Sequence, residues 1–224
     1  MDPQDAQAGR LASESLAADD PTGWFERLYV AAEAGEAVVP WDREEPNRLL
    51  VQWAESGALD GRGRRALVVG AGLGADAEYV AARGFETVAF DVADTAVRIA
   101  RRRFPDSTVE YRTADLLSPP DAWRRAFDLV VESITVQALP PELHRDAIAR
   151  VADMVAPGGT LLVISGGRDA RDGPVDGPPW PLTRAEIDAF ASGGLRAVRV
   201  EEIGAGAELR WRAELRRADR QRTR

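Results

Sequence analysis

The chain has 224 residues, 45% of them hydrophobic, and a net charge of −8, which fits one domain with appendages and argues against a nucleic-acid partner. It has no apolar run long enough to span a bilayer, no apolar h-region near residue 1 and no cysteine. We therefore expect no membrane partner, no disulfide framework, no thiolate metal site and no cysteine nucleophile, with the cytoplasm as the expected location.

Residues 1–20 are rich in Ala, Asp, Gln and Ser and read as a disordered tail. A helix follows Asp20-Pro21-Thr22-Gly23, with Trp24, Phe25, Leu28 and Tyr29 as its apolar stripe. Ordinary packing on the main domain is one reading of that stripe, and contact with a substrate is the other. A loop carries Pro40-Trp41-Asp42. A second helix spans about Pro46 to Ser56, the proline fitting its first turn. Ala66 to Val69 then form a buried strand that breaks into Gly70-Ala71-Gly72-Leu73-Gly74. A helix from Ala75 to Ala82 and a strand from Thr87 to Phe90 follow, with Asp91 and Val92 at the strand's tip.

This grammar of strand, glycine turn, helix, strand and acid suits an adenosine cofactor. Glycines let the backbone approach a ligand, free amides at a helix start suit an anionic group, and a carboxylate can accept both ribose hydroxyls. NAD, FAD and S-adenosylmethionine (SAM) all meet those terms. Position 75 is Ala, where a dinucleotide fingerprint would place its third glycine, so the spacing G-x-G-x-G favours SAM over a nicotinamide cofactor.

Thr95 to Arg103 read as an amphipathic helix and Thr108 to Arg112 as a third strand. Asp115 and Leu116 stand just beyond it, where an acid can accept an adenine amino group; a surface carboxylate or helix cap is the alternative. The fourth strand is Phe127 to Ser133, ending in Glu132-Ser133 at the crevice side of a parallel sheet, with Gln137 in the next loop. Glu132 can bind the cofactor's amino group, orient an acceptor, remove a proton, or serve behind the site. A helix from Pro141 to Met154 carries the only histidine, His144, for which packing is weighed above a general base. With one histidine and no cysteine, no metal centre is expected. Strand five, Thr160 to Ser165, leads into a Gly/Asp/Pro-rich stretch, 166–181, read as a solvated lid; the spacing of Asp169, Asp172 and Asp176 matches no calcium loop. Thr183 and Glu186 form a capping box, and 195–203 with 208–215 form a closing hairpin.

Four stretches, Val68-Val69-Gly70-Ala71-Gly72-Leu73-Gly74, Asp91, Asp115, and Phe127-Asp128-Leu129-Val130 with Ala156-Pro157-Gly158-Gly159, resemble class I SAM-dependent methyltransferases over residues 22–216. Gly35 to Leu49, Asp176-Gly177-Pro178-Pro179-Trp180 and Arg210-Trp211-Arg212 narrow the resemblance to the thiopurine, thiocyanate and halide methyltransferase group.

The resemblance implies an α/β fold, a doubly wound, Rossmann-like sheet of seven strands in order 3-2-1-4-5-7-6, strand 7 antiparallel. Residues 21–216 would be one domain, 21–60 its lid helices and 217–224 a basic tail. It implies SAM as cofactor, held by Trp41, Gly70, Ala71, Gly72, Gly74, Asp91, Val92, Asp115, Leu116 and Glu132. Glu132, Ser133 and Gln137 are the candidates on the acceptor side, with Trp24 and Trp180 walling the pocket. The expected partner is a small molecule, a thiol or another soft nucleophile first, met by a monomer or homodimer. N- or O-methylation of a specialised metabolite, a nicotinamide-dependent oxidoreductase and a non-catalytic SAM-binding protein are the alternatives. Ser133 and Ser165-Gly166 stand where the halide and thiocyanate enzymes carry aromatic residues, so the acceptor pocket is expected to be wider or more polar.

Overall fold

A computed structural model describes residues 3–57, 59–173, 175 and 177–219, with side chains from residue 7 onward. The strands are β1 (Arg65–Val69), β2 (Glu86–Asp91), β3 (Glu110–Thr113), β4 (Phe127–Ser133), β5 (Val155–Gly166), β6 (Leu195–Ile203) and β7 (Arg210–Arg217). They form one sheet in the order β3-β2-β1-β4-β5-β7-β6. The pairs among β1 to β5 are parallel, and β7 runs antiparallel to both β5 and β6.

The near-continuous apolar runs of the central strands follow from burial on both faces. Side chains alternate along a strand. Leu67 and Val69 therefore join Phe90, Val130 and Val163 in a core under helix α6 (Pro141–Met154), which adds Ala147, Ile148 and Val151. Ala66 and Val68 face the other way, with Leu129, Leu162 and Ile164. That second core is covered by helices α3 (Arg48–Ser56), α4 (Ala75–Ala82) and α5 (Asp94–Arg103), through Leu50, Val80 and Val97. Each buried Val or Leu contributes about 1.5–3 kcal/mol relative to exposure. Helix α7 (Arg184–Ala189) opens with the expected capping box of Thr183 and Glu186. Among the described residues no helix is long and apolar enough to cross a membrane.

The two ends of the chain differ from the reading of the sequence. Residues 3–17 are not a tail but helix α1 (Pro3–Ala17). Ala8 and Ala12 bury against Trp24, Leu28 and Tyr29 of helix α2 (Gly23–Glu33), and Arg27 donates to the Leu11 carbonyl at 2.9 Å. Small alanines make a weak apolar stripe, which polar composition masks. At the other end Arg217 belongs to β7 and is buried, donating to the carbonyls of Val155 and Ala152 at 2.8 and 2.6 Å. Residues 220–224 of the expected basic tail lie outside the described residues. Pro46 stands before helix α3 and not in its first turn, because the Asn47 side chain is the cap, accepting from the Leu49 amide at 3.0 Å.

Helix α2 is held over the C-terminal end of β2 by a cap supplied from a distance. Ala93, at the N-cap of α5, has no side chain to satisfy that helix's free amides. Glu26 of α2 does so instead, accepting from the Thr95 amide at 3.0 Å and its hydroxyl at 2.6 Å. This lock sets Trp24, Phe25 and Tyr29 beside Asp91.

Candidate active site

The loop after β1 turns through glycines in the left-handed region. Gly74 has φ of 98° at the start of α4, and a side chain there would meet the Tyr111 hydroxyl. Gly72 has φ of 51°, and a Cβ there would stand 3.3 Å from the Tyr29 hydroxyl; without one its backbone is bare. That backbone forms the floor of a cavity of about 1230 Å³ at the C-terminal ends of the parallel strands.

Asp91 braces the floor from β2. One carboxylate oxygen accepts from the Gly72 amide at 2.9 Å and the other from Ala93 at 3.0 Å. Burial raises its carboxyl above the ordinary range, and these amides oppose the shift. Ala71, Val92, Asp115 and Leu116 line the same part of the cavity, and Asp115 accepts from the Leu117 amide at 2.8 Å. Trp41 stands on the wall above, donating to the Tyr29 hydroxyl at 2.7 Å and meeting Trp24 edge-on at 5.8 Å. Trp24 also borders the cavity, although it is almost wholly buried.

Three residues missed in the sequence join helix starts to the end of β4. The Asn47 amide donates to Asp76 at 2.6 Å, and the Asn47 side chain donates to the Ser133 hydroxyl at 3.1 Å. Asp76 is pushed up by burial, against hydrogen bonds from Asn47 and Ser133. Thr135 donates to the Val69 carbonyl at 2.9 Å. Asp76, two residues beyond Gly74 in the first turn of α4, was the visible signal.

Glu132 is placed otherwise than expected. It is fully buried and does not line the cavity. One of its oxygens accepts from the amides of Thr135 and Val136 at 2.8 and 2.9 Å; the other has no partner among the described residues. Burial, only partly countered by those amides and by His144, pushes its carboxyl up to about 7. The turn it holds contains Ile134 at φ of 68°, a strained conformation for a β-branched residue. Glu132 thus shapes the wall that Ser133, Ile134, Thr135 and Gln137 present.

His144 is likewise sealed. Its Nδ1 lies 2.7 Å from Glu186 and its Nε2 2.8 Å from the Leu139 carbonyl, so both ring nitrogens are taken. Trp180, expected on the pocket wall, lies outside the lining; its amide donates to the Gln137 carbonyl at 2.7 Å. Asp169 pairs with Arg171 at 2.5 Å, and Asp176 lies outside the described residues. Among the described residues no group of three or more acidic or histidine side chains is placed to hold a metal.

Residues 66–159 match a family model described as a methyltransferase domain. The 2-heptyl-1-hydroxyquinolin-4(1H)-one methyltransferase of Mycobacteroides abscessus is 27% identical over 173 residues, covering 75% of this chain and 74% of that protein. The N-methyltransferase NodS of Bradyrhizobium japonicum, solved with S-adenosylhomocysteine (SAH), superposes with a TM-score of 0.64 at 26% identity, over 85% of this chain and 98% of that one. The 1,6-didemethyltoxoflavin-N1-methyltransferase of Burkholderia thailandensis shares the fold at a TM-score of 0.64 and 16% identity, over 94% and 91% of the two chains.

The residues present fit SAM. A bare glycine floor, a carboxylate at the tip of β2 and a second acid beyond β3 are the contacts an adenosine needs, and an added Cβ at Gly72 would fill the cradle. The chain is a SAM-dependent methyltransferase, with SAM as its cofactor.

Proposed function

We propose that the chain methylates a small molecule whose nucleophile needs no base from the protein, a thiol or another soft nucleophile first among them. The observation that carries this reading is the sealing of Glu132 and His144 away from the cavity. Of the carboxylates that do line the cavity, Glu14 and Glu45 are solvent-exposed and so poorly placed for proton removal in a dry site, Asp91 and Asp115 stand on the cofactor side, and Asp76 is held by the Asn47 amide and Ser133.

In this reading Asp91 takes the ribose hydroxyls, Asp115 and Leu116 the adenine, and the Gly70–Gly74 backbone the remainder, with Trp41 beside them. When bound, SAM supplies a methyl group on a sulfonium for in-line displacement. Ser133, Gln137 and Gly166 bound the acceptor side, and Trp24, Phe25 and Trp41 exclude water from it.

A second reading, N- or O-methylation of a heteroaromatic metabolite, is favoured by the relative named for a hydroxyquinolone. Transfer of a labelled methyl group from SAM to thiols, sulfide, iodide, amines and hydroxyquinolines separates the two. We expect label on the sulfur acceptors, at rates that follow the acceptor's own ionisation. A pH–rate break near neutrality that Glu132→Gln abolishes would put that carboxyl in the chemistry and overturn the base-free reading. SAM binding without transfer to any of these acceptors would overturn the soft-nucleophile reading in favour of a more specialised acceptor.

A further inference from the structure

Gln137 has one oxygen and two N–H donors to place, and its neighbours fix which is which. The Gly166 amide donates to its Oε1, and an N–H has nothing to accept with, so that atom must be the oxygen. The Ser165 hydroxyl lies 3.1 Å from the same oxygen. The Gln137 carbonyl accepts from the Trp180 amide at 2.7 Å, which pins the backbone as well. Gln137 sits in a single 3-10 turn, Val136–Ala138, and is 5% exposed.

What remains is Nε2, with no partner among the described residues. It is not sealed, because the sealed polar side-chain atoms without partners are Ser15 Oγ and Glu132 Oε2. Since Gln137 lines the cavity, its amide nitrogen opens there. A second donor stands on the same stretch of wall. Strand pairing sets Gly166 opposite Arg210, whose Nη1 donates to the Ala207 and Leu209 carbonyls at 3.2 and 2.8 Å and whose side chain also borders the cavity.

We propose that Gln137 anchors the acceptor through a fixed, donor-only amide, so that the acceptor carries a carbonyl or oxyanion oxygen beside the atom that is methylated. A buried site built to donate discriminates strongly against an analogue lacking the lone pair, because binding it leaves the donors unpaired. The amide is neutral and takes no proton, so it holds the acceptor without quenching the nucleophile. The proposal rests on the methyltransferase reading and narrows its substrate class.

The test uses the protein saturated with SAH and two probes, 1-hydroxypyridine-2-thione and pyridine-2-thione, which differ by one oxygen next to the thione. Calorimetry is expected to show the oxygen-bearing probe binding about tenfold tighter, or more. Gln137→Glu, measured at pH 8, keeps an oxygen for the Gly166 amide and removes the donor, so it should abolish the preference while SAH affinity holds. Equal affinities in the native protein, a preference that survives Gln137→Glu, or binding of neither probe would each overturn the proposal. Should that variant not fold, the side-chain amide signals of Gln137 in the native protein decide: they must shift with the oxygen-bearing probe and stay put with the other. Failure of the native protein to bind SAH would fall on the methyltransferase reading instead.

Discussion

Asp91 accepts one amide through each of its oxygens, so it shapes the glycine floor as well as facing the cavity. Asp91→Ala removes both effects and should weaken SAM binding by roughly tenfold or more. Unchanged affinity in calorimetry would remove the ribose from its duties. Glu132 carries a pH dependence of opposite sense to an ordinary ion-paired acid. Its carboxyl is pushed up to about 7 from 4.5, so between those values the folded protein holds a proton that the unfolded chain releases. Stability from this residue is therefore full below about pH 4.5 and falls as pH rises through 7, by about 3 kcal/mol in the limit. Denaturant midpoints at pH 5 and pH 8 should show the loss, and Glu132→Gln should flatten it; a slope unaltered by the substitution would assign it elsewhere. Glu186 works the other way. Burial raises its carboxyl, but hydrogen bonds from His144 and Thr183 outweigh this and hold it at about 2, so its contribution is present above about pH 4.5 and is lost as pH falls through 2.

Helix α1 lines the cavity through Gly9, Arg10 and Ser13, and its attachment runs through Ala8, Ala12 and Arg27. A chain starting at Asp20 keeps the carboxylate that caps α2, accepting from the Gly23 amide at 2.8 Å, but loses this wall and the cover that Ala8 and Ala12 give Trp24, Leu28 and Tyr29. We expect SAH affinity to hold within about threefold while kcat/KM for the acceptor falls roughly tenfold, since water then enters the acceptor side. Unaltered kcat/KM would make α1 a bystander. That helix also marks where sequence reading stopped. The βα units were legible because strand apolarity, glycine turns and caps repeat a local rule: α4, β4 and α6 fall at the residues expected of them. Strand order followed from the resemblance. Tertiary placement was not legible. Nothing local says that Glu132 turns one oxygen back to the following turn, that Trp180 stays out of the cavity lining, or that Glu26 caps a helix 69 residues distant. Gln137 and Asp91 could be named from position, but the direction of the Gln137 amide depends on Gly166, which only the closed sheet brings near.

Two pairings in the sheet join stretches distant in the chain. β1 meets β4 from Ala66↔Leu129 to Val69↔Glu132, and β7 inserts between β5 and β6 and is the later-made of the hairpin. It pairs with β5 from Thr160↔Arg216 to Gly166↔Arg210, covering Leu161, Leu162, Val163 and Ile164. During synthesis that apolar strand therefore has an open flank until residues 210–217 leave the ribosome, a delay of a few seconds at about 5–20 residues per second. A chain ended at Ala205 should self-associate, visible by light scattering, and a soluble monomer with native-like circular dichroism would contradict this. At this point the nascent chain presents an apolar, unpaired sheet edge, the kind of surface that chaperones shield, until its partner strand emerges.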